Sequence, residues 1–180
     1  MKKLMFMLAA VAVAACTQAA SVSWTCTNVK DGSGNPINGI AYFVNAADLS
    51  QSAAKAFTKA SDWTTALSGA YSWSPTDAGK YTSAAVDNAT LGLTDATASS
   101  AYLVIFDTAA ITDTSHYYMT EVKNFDTYGG TETASVKWGS QSTASQAAGA
   151  WTSVSPVPEP TSGLLMLIGM AGLALRRKRA

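Results

Sequence analysis

Both ends of this chain are apolar runs flanked by basic residues, and they confine any globular fold to the segment between them. Residues 4–15 are apolar and follow Lys2 and Lys3, while residues 164–175 are apolar and precede a basic C-terminus. Neither run shows the alternating or helical pattern of a half-buried domain element. The folding unit is therefore residues 21–156, a length typical of a single domain.

The N-terminal run has the layout of a secretory signal peptide. Its basic start and apolar core are followed by small residues that lead to Ala19 and Ala20. The apolar core of about 12 residues is shorter than the roughly 20 residues that a spanning helix needs. We expect signal peptidase to remove residues 1–20, and cleavage after Ala19 or after Ala20 fits the pattern.

A second reading of the N-terminus involves its cysteine. Val13, Ala14, Ala15 and Cys16 resemble a lipobox, so lipidation of Cys16 is the alternative to plain cleavage. When residues 1–20 are removed, Cys26 is the only cysteine left, and one thiol cannot form an internal disulfide. We therefore expect the exported domain to rely on packing alone, with Cys26 buried and inert.

The C-terminal run follows a proline-rich sequence made of Val157, Pro158, Glu159 and Pro160. Proline prevents a helix from extending upstream, so the apolar helix starts near residue 161. Residues 161–175 would span roughly 22 Å at about 1.5 Å per residue, less than the about 30 Å of a bilayer core. We expect a short transmembrane helix whose basic end stays cytoplasmic. That basic end consists of Arg176, Arg177, Lys178 and Arg179.

A Pro-Glu-Pro triplet, a short apolar helix and a basic cluster, in this order and after a signal peptide, resemble the PEP-CTERM sorting domain of Gram-negative bacteria. The resemblance covers residues 157–180. It implies that an exosortase, a membrane cysteine protease, recognises and cleaves the chain near Pro158-Glu159-Pro160. It also implies a host that makes extracellular polysaccharide. Such tails also carry the description ice-binding protein C-terminal domain, which implies no ice activity of the chain itself.

The charges are segregated along the chain. The whole chain has a formal net charge of zero, but residues 21–156 hold six lysines, no arginine and eleven acidic residues, a net charge of −5. A basic surface for nucleic acid is therefore excluded for the exported part. We expect the mature protein to be acidic and to lie at the cell surface or in the extracellular matrix.

The pattern of residues 21–138 predicts a mostly β domain. Residues 22–28 alternate apolar and hydroxyl side chains, residues 39–44 form a compact apolar run, and residues 101–106 are apolar without alternation. The last pattern is typical of a strand that is covered on both faces. We predict a small β-sandwich or jelly-roll-like domain with one short helix, and α+β is the alternative.

Three local predictions complete this picture. A capping box of Asp48 and Gln51 predicts the single helix at residues 49–60, with Leu49, Ala53, Ala56 and Phe57 as its buried stripe. Gly129 and Gly130 predict a hairpin turn between strands at 117–123 and 131–138. The small-residue composition of residues 139–156 predicts a last strand and a flexible stalk.

Side chains able to perform chemistry are few. His116 is the only histidine, and no sequence pattern connects it to a nucleophile. Asp31, Ser33 and Asn35 start like a calcium loop, but Pro36 stands where that loop needs glycine. We therefore expect no catalytic site, no metal and no cofactor, and we interpret residues 31–36 as a turn.

Three functions remain open at this stage. The first is a non-enzymatic surface or matrix protein of structural or adhesive type, associated with exopolysaccharide. The second is a carbohydrate-binding module that stacks sugars on exposed aromatic rings, and the third is a secreted enzyme with a carboxylate pair that only folding brings together. The candidate stacking residues are Tyr71, Trp73, Tyr117 and Tyr118.

Overall fold

A computed structural model of the chain describes residues 19–155. These residues form nine strands, three short helices and one 3₁₀ turn. In chain order the elements are β1 (Ser21–Thr27), β2 (Ala41–Asn45), α1 (Gln51–Ala54), α2 (Ala60–Ala66), β3 (Ser72–Trp73), β4 (Tyr81–Asp87), the 3₁₀ turn (Asn88–Leu91), β5 (Ala98–Phe106), β6 (His116–Met119), β7 (Lys123–Asp126), β8 (Thr133–Ser140), α3 (Ser142–Gln146) and β9 (Thr152–Ser153). The domain is mostly β, as the sequence predicts.

The strands form two sheets. The smaller sheet has the order β4-β1-β8, in which β1 is antiparallel to β4 and parallel to β8. The larger sheet has the order β3-β2-β5-β6-β9, and β7 pairs with the first part of β5 beyond the end of β6. Both outer strands of the smaller sheet contain a register shift, a feature that blunts an exposed sheet edge.

One face of each sheet contributes to a shared core. Val22, Trp24 and Cys26 from β1 lie in the same buried cluster as Phe43 from β2 and Leu103 from β5. The two sheets therefore face each other across this first core. The alternation of β1 explains the arrangement, because its apolar positions point inward and its hydroxyl positions point out.

The opposite face of the larger sheet is also buried. Tyr102, Val104 and Phe106 of β5 pack in a second core with Trp63 of α2 and Val154 near the end of the domain. All six residues from 101 to 106 are fully buried. This confirms the prediction of a strand that is covered on both faces, because the helices cover the face that the smaller sheet leaves open.

The predicted helix at residues 49–60 is wrong in its extent. Ser50, not Asp48, caps α1, and its hydroxyl accepts a hydrogen bond from the Ala53 amide. The Gln51 side chain donates to the Thr120 carbonyl at 2.6 Å instead of completing a capping box. α1 ends at Ala54, and Phe57 packs its ring edge-on against Trp63 of the separate helix α2. Tertiary contacts therefore shorten the predicted helix to one turn, and α2 begins only at its last predicted residue, Ala60.

The predicted hairpin around Gly129 and Gly130 is also wrong. β7 pairs with β5 in the larger sheet, whereas β8 pairs with β1 in the smaller sheet. Thr127 holds the start of the connection through a hydrogen bond from its hydroxyl to the Thr94 carbonyl. Gly129 and Gly130 thus lie in the connection that crosses from the larger sheet to the smaller sheet. This connection allows the apolar side chains of β8 to pack in the first core.

No helix within residues 19–155 is both long enough and apolar enough to cross a membrane. The predicted signal peptide at 1–20 extends beyond this region, since only Ala19 and Ala20 of it are described. The predicted transmembrane segment at 161–175 and the basic end lie outside the described residues.

Gly39 provides a test of how tightly β2 and β5 pack. A Cβ atom at this position would lie 1.8 Å from the Phe106 carbonyl oxygen, which no side-chain rotation can relieve. We expect Gly39→Ala to lower the free energy of unfolding by at least about 2 kcal/mol, because backbone must move. Urea denaturation of the purified domain measures this change.

Gly32 is the matched control for Gly39. A Cβ atom added there has no atom within 4 Å, so Gly32→Ala should change stability by less than about 0.5 kcal/mol. Equal stability of the Gly39→Ala and Gly32→Ala proteins would contradict the described packing of β2 against β5.

Candidate functional site

The N-terminal end of the domain is built into the middle of a sheet. β1 lies between β4 and β8, and its first residue, Ser21, donates its amide hydrogen to the Glu132 carbonyl at 3.1 Å. Ala20 is 1% exposed, and its carbonyl accepts the Asn88 amide hydrogen at 2.9 Å. Ala19 is exposed. The predicted signal cleavage region therefore coincides with the boundary between exposed and buried backbone.

The C-terminal end of the described chain is docked as well. β9 pairs with β6, and Val154 is fully buried while its amide donates to the Ser115 carbonyl at 2.9 Å. The Trp151 indole donates to the Lys30 carbonyl at 2.9 Å. Residues 139–155 thus contain a helix and a paired strand. The predicted flexible stalk is wrong for this stretch, because its few apolar side chains fill gaps in both cores.

The predicted sorting residues follow directly on this docked end. Val157, Pro158, Glu159 and Pro160 lie outside the described residues, as do Arg176, Arg177, Lys178 and Arg179. In the sequence, Val157 follows the docked Val154 by only three residues. Any enzyme that acts on the Pro-Glu-Pro triplet works close to the folded domain.

Tyr117 and Tyr118 cannot offer an open ring to a sugar. Tyr117 is 2% exposed in the second core, where its ring lies 4.5 Å from that of Trp63. Tyr118 is 6% exposed in the first core, and its hydroxyl donates to Gln141 at 2.7 Å. Their inclusion among the stacking residues is therefore wrong. The alternation of β6 does point them to opposite faces, but both faces of this sheet are covered.

Tyr71 and Trp73 lie together at the rim of the first core. Both are half-buried, and their ring centres are 5.6 Å and 4.8 Å from that of Trp24. The two rings are tilted by 34° to each other and so do not form one flat platform. Sugar stacking on these two rings stays a prediction. Part of the surface of each ring is already packed against Trp24.

His116 is held by one carboxylate. Its Nδ1 atom lies 3.0 Å from Asp107 Oδ2, and its backbone amide donates to Asp107 Oδ1 at 2.8 Å. Within residues 19–155 no hydroxyl or thiol is hydrogen-bonded to this ring, and no group of three metal-binding side chains occurs. These two contacts give His116 a structural role, because they fix the start of β6 to Asp107 in the loop after β5.

Asp31 closes the turn at residues 31–36. Its carboxylate accepts hydrogen bonds from the side-chain and backbone nitrogens of Asn35 and from the Ser33 amide. The Asn35 side chain, followed by these backbone amides, lowers the pKa of Asp31. Both oxygens of the carboxylate are thus used within the loop itself, which agrees with the interpretation of this segment as a turn.

Comparison with known proteins identifies one region of the chain. The family model described as the PEP-CTERM protein-sorting motif matches residues 156–179. No curated protein and no solved structure shows significant similarity to the chain. The chain therefore carries a PEP-CTERM motif, which implies exosortase-dependent sorting of an exported protein.

The mature protein is expected to begin at Ala20. Cleavage after Ala20 would remove the carbonyl that accepts the Asn88 amide and would leave a charged ammonium group at Ser21, in the middle of the sheet. Cleavage after Ala19 keeps that hydrogen bond and places the new ammonium group on Ala20, at the point where the exposed Ala19 was attached. Intact-mass and N-terminal peptide analysis of the exported protein distinguishes the two products. A terminus at Ser21, or an acylated Cys16, would contradict this expectation.

Cys26 is expected to be inert in the folded protein. It is fully buried in the first core, and burial raises the pKa of its thiol to about 12. The thiolate that reacts with disulfide reagents is then nearly absent at mildly alkaline pH. Ellman's reagent should detect no thiol in the native mature protein and one thiol per chain after denaturation.

A Ser135→Cys variant serves as the positive control for this measurement. Ser135 is exposed on β8, so the new thiol should react in the native protein while Cys26 does not. Rapid labelling of the unmodified native protein would show that Cys26 is accessible and would contradict the described first core.

Proposed function

We propose that this chain is a non-enzymatic protein of the cell surface or extracellular matrix that an exosortase sorts and processes at its C-terminal motif. The observation that carries the proposal is the PEP-CTERM motif at residues 156–179. In this proposal signal peptidase removes the N-terminal segment, and residues 161–175 hold the chain in the inner membrane until processing. The mature domain then resides in the envelope or matrix with extracellular polysaccharide.

The reactive side chains named here are engaged in structural contacts, and this supports a non-enzymatic role. The Cys26 thiol is packed in the first core, and His116 is fixed by Asp107 at the start of β6. Burial also raises the pKa of Tyr102 to about 12, and its hydroxyl donates to the Leu49 carbonyl. Each of these groups therefore stabilises the domain through its present contact, and a reaction that needed it would compete with that contact.

The acidic character of the domain supports its placement outside the cell with neutral partners. Residues 21–156 carry a net charge of −5, while the four basic residues of the C-terminus lie beyond the triplet where processing is proposed. Cleavage there converts a neutral precursor into an acidic mature protein. Like charge keeps copies of such a domain soluble and weakens contacts with polyanions.

Replacement of Pro158, Glu159 and Pro160 by alanine tests the proposal. We expect the variant to accumulate as an unprocessed form in the membrane fraction, because the triplet is the proposed recognition site. Immunoblots of membrane and extracellular fractions, with a host that lacks exosortase as reference, measure the outcome.

The matched control is the double variant Thr76→Ala and Asp77→Ala. Both residues are exposed in a loop remote in sequence from the motif, so processing should be unchanged. Normal processing of the alanine-triplet variant would show that the motif does not direct sorting and would overturn the proposal.

A further inference from the structure

A polar groove lies where β5 extends past its neighbour. β5 has nine residues, but β2 pairs only with its part from Ala101 to Ile105. The Ala46 amide still donates to the Ser100 carbonyl at 2.9 Å, and the chain then turns away toward α1, which leaves a gap beside Ala98 and Ser99 of β5. The groove in this gap has a volume of about 530 Å³, within the roughly 300–1,000 Å³ typical of ligand sites.

The wall of the groove is fixed by hydrogen bonds. The Asn45 side chain donates to the Gly92 carbonyl at 3.2 Å and accepts the Ala47 amide at 3.1 Å. On the other side, Thr97 donates its amide hydrogen to the Thr127 hydroxyl and its own hydroxyl donates to the Thr94 carbonyl. The groove is therefore largely preformed, which reduces the entropy that a ligand must overcome on binding.

The lining combines amides, hydroxyls and one carboxylate with apolar surface. Asn124 and Asp126 are exposed on β7 and face the same side as Ser100, with which Asn124 is paired. Half-buried Phe125 and buried Leu93 add apolar area. Among residues 19–155, no lysine or arginine lines the groove. Side chains of this kind donate to and accept from neutral hydroxyl groups, and the apolar area suits the C–H faces of a sugar ring.

We propose that this groove binds a neutral carbohydrate. The carboxylate of Asp126 and the domain's net charge of −5 disfavour an acidic polysaccharide. A peptide added as a strand is disfavoured because β2 leaves only residues 98–100 of β5 uncovered, and the Ser100 carbonyl already accepts the Ala46 amide. A neutral glycan satisfies both the polar and the apolar lining.

The position of the groove suits such a ligand. β9, the last strand, pairs with β6 at His116 and Tyr117, and Tyr117 lies opposite Phe106 at one end of β5. The groove lies at Ala98, the other end of β5, about 26 Å away at roughly 3.3 Å per residue. In the unprocessed chain, held by its C-terminus, the groove then lies at the end of β5 that is farther from the tether. This orientation rests on the proposed sorting, whereas binding itself does not.

Affinity electrophoresis of the processed protein, purified from the producing cells, tests the inference. The probes are the neutral polysaccharides dextran, galactomannan and xylan, the host's own neutral polysaccharide fraction, and acidic alginate. We expect retardation by at least one neutral probe and none by alginate. The double variant Asn124→Ala and Asp126→Ala should weaken the binding about tenfold or more, since each loses a hydrogen-bonding side chain.

Asn38→Ala is the matched control, because Asn38 is an exposed asparagine in a loop outside the groove lining. It should bind as the unmodified protein does, and circular dichroism verifies that all variants are folded. Absence of binding to every neutral probe, retained binding in the double variant, or equal binding of alginate would each overturn the inference. These results leave the proposed sorting untouched, whereas normal processing of the alanine-triplet variant would overturn the proposed sorting and leave glycan binding untouched.

Discussion

Burial of the larger sheet on both faces is the constraint on which the rest of the structure depends. Each face is organised around one tryptophan that is almost fully buried. Trp24 contacts Phe43 and the rim aromatics in the first core, and Trp63 contacts Phe57 and Phe106 in the second. Aromatic pairs of this geometry add about 0.5–1.5 kcal/mol each beyond the area they bury. In a domain whose only cysteine is free, these two clusters take the place of cross-links.

Local patterns in the sequence predicted those elements whose structure depends on neighbouring residues. The alternation of residues 22–28 gave β1, and the unbroken apolar run at 101–106 indicated a doubly covered strand, because burial on two faces leaves no polar position. The hairpin predicted from the glycine pair at 129–130 was wrong because strand pairing is not decided locally. Turn chemistry allows the chain to reverse but does not determine which strand the following segment joins, and β8 joins β1 more than a hundred residues away.

The candidate sites also differ in whether the sequence alone could predict them. The sorting motif is readable from sequence because an exosortase reads a linear segment, and a family model finds it there. The groove has no such signal, since Asn45, Thr97 and Asn124 come from three segments that only the sheet brings together. Tyr117 and Tyr118 were misplaced because strand alternation reveals opposite faces without revealing that helices cover the second one. Whether a face of the sheet is covered depends on tertiary packing, which the periodicity of a strand does not reveal.

The position of β1 has a consequence for the order of events during export. β1, the first strand in chain order, is the central strand of its sheet, but its antiparallel partner begins at Tyr81 and its parallel partner at Thr133. The smaller sheet can close only when nearly all of the domain has crossed the membrane. β4 can pair with β1 once residue 87 has been exported, but the pairing with β8 requires residues 133–140, so the smaller sheet stays incomplete until then. In an exported chain, completion of this sheet therefore depends on the arrival of β8.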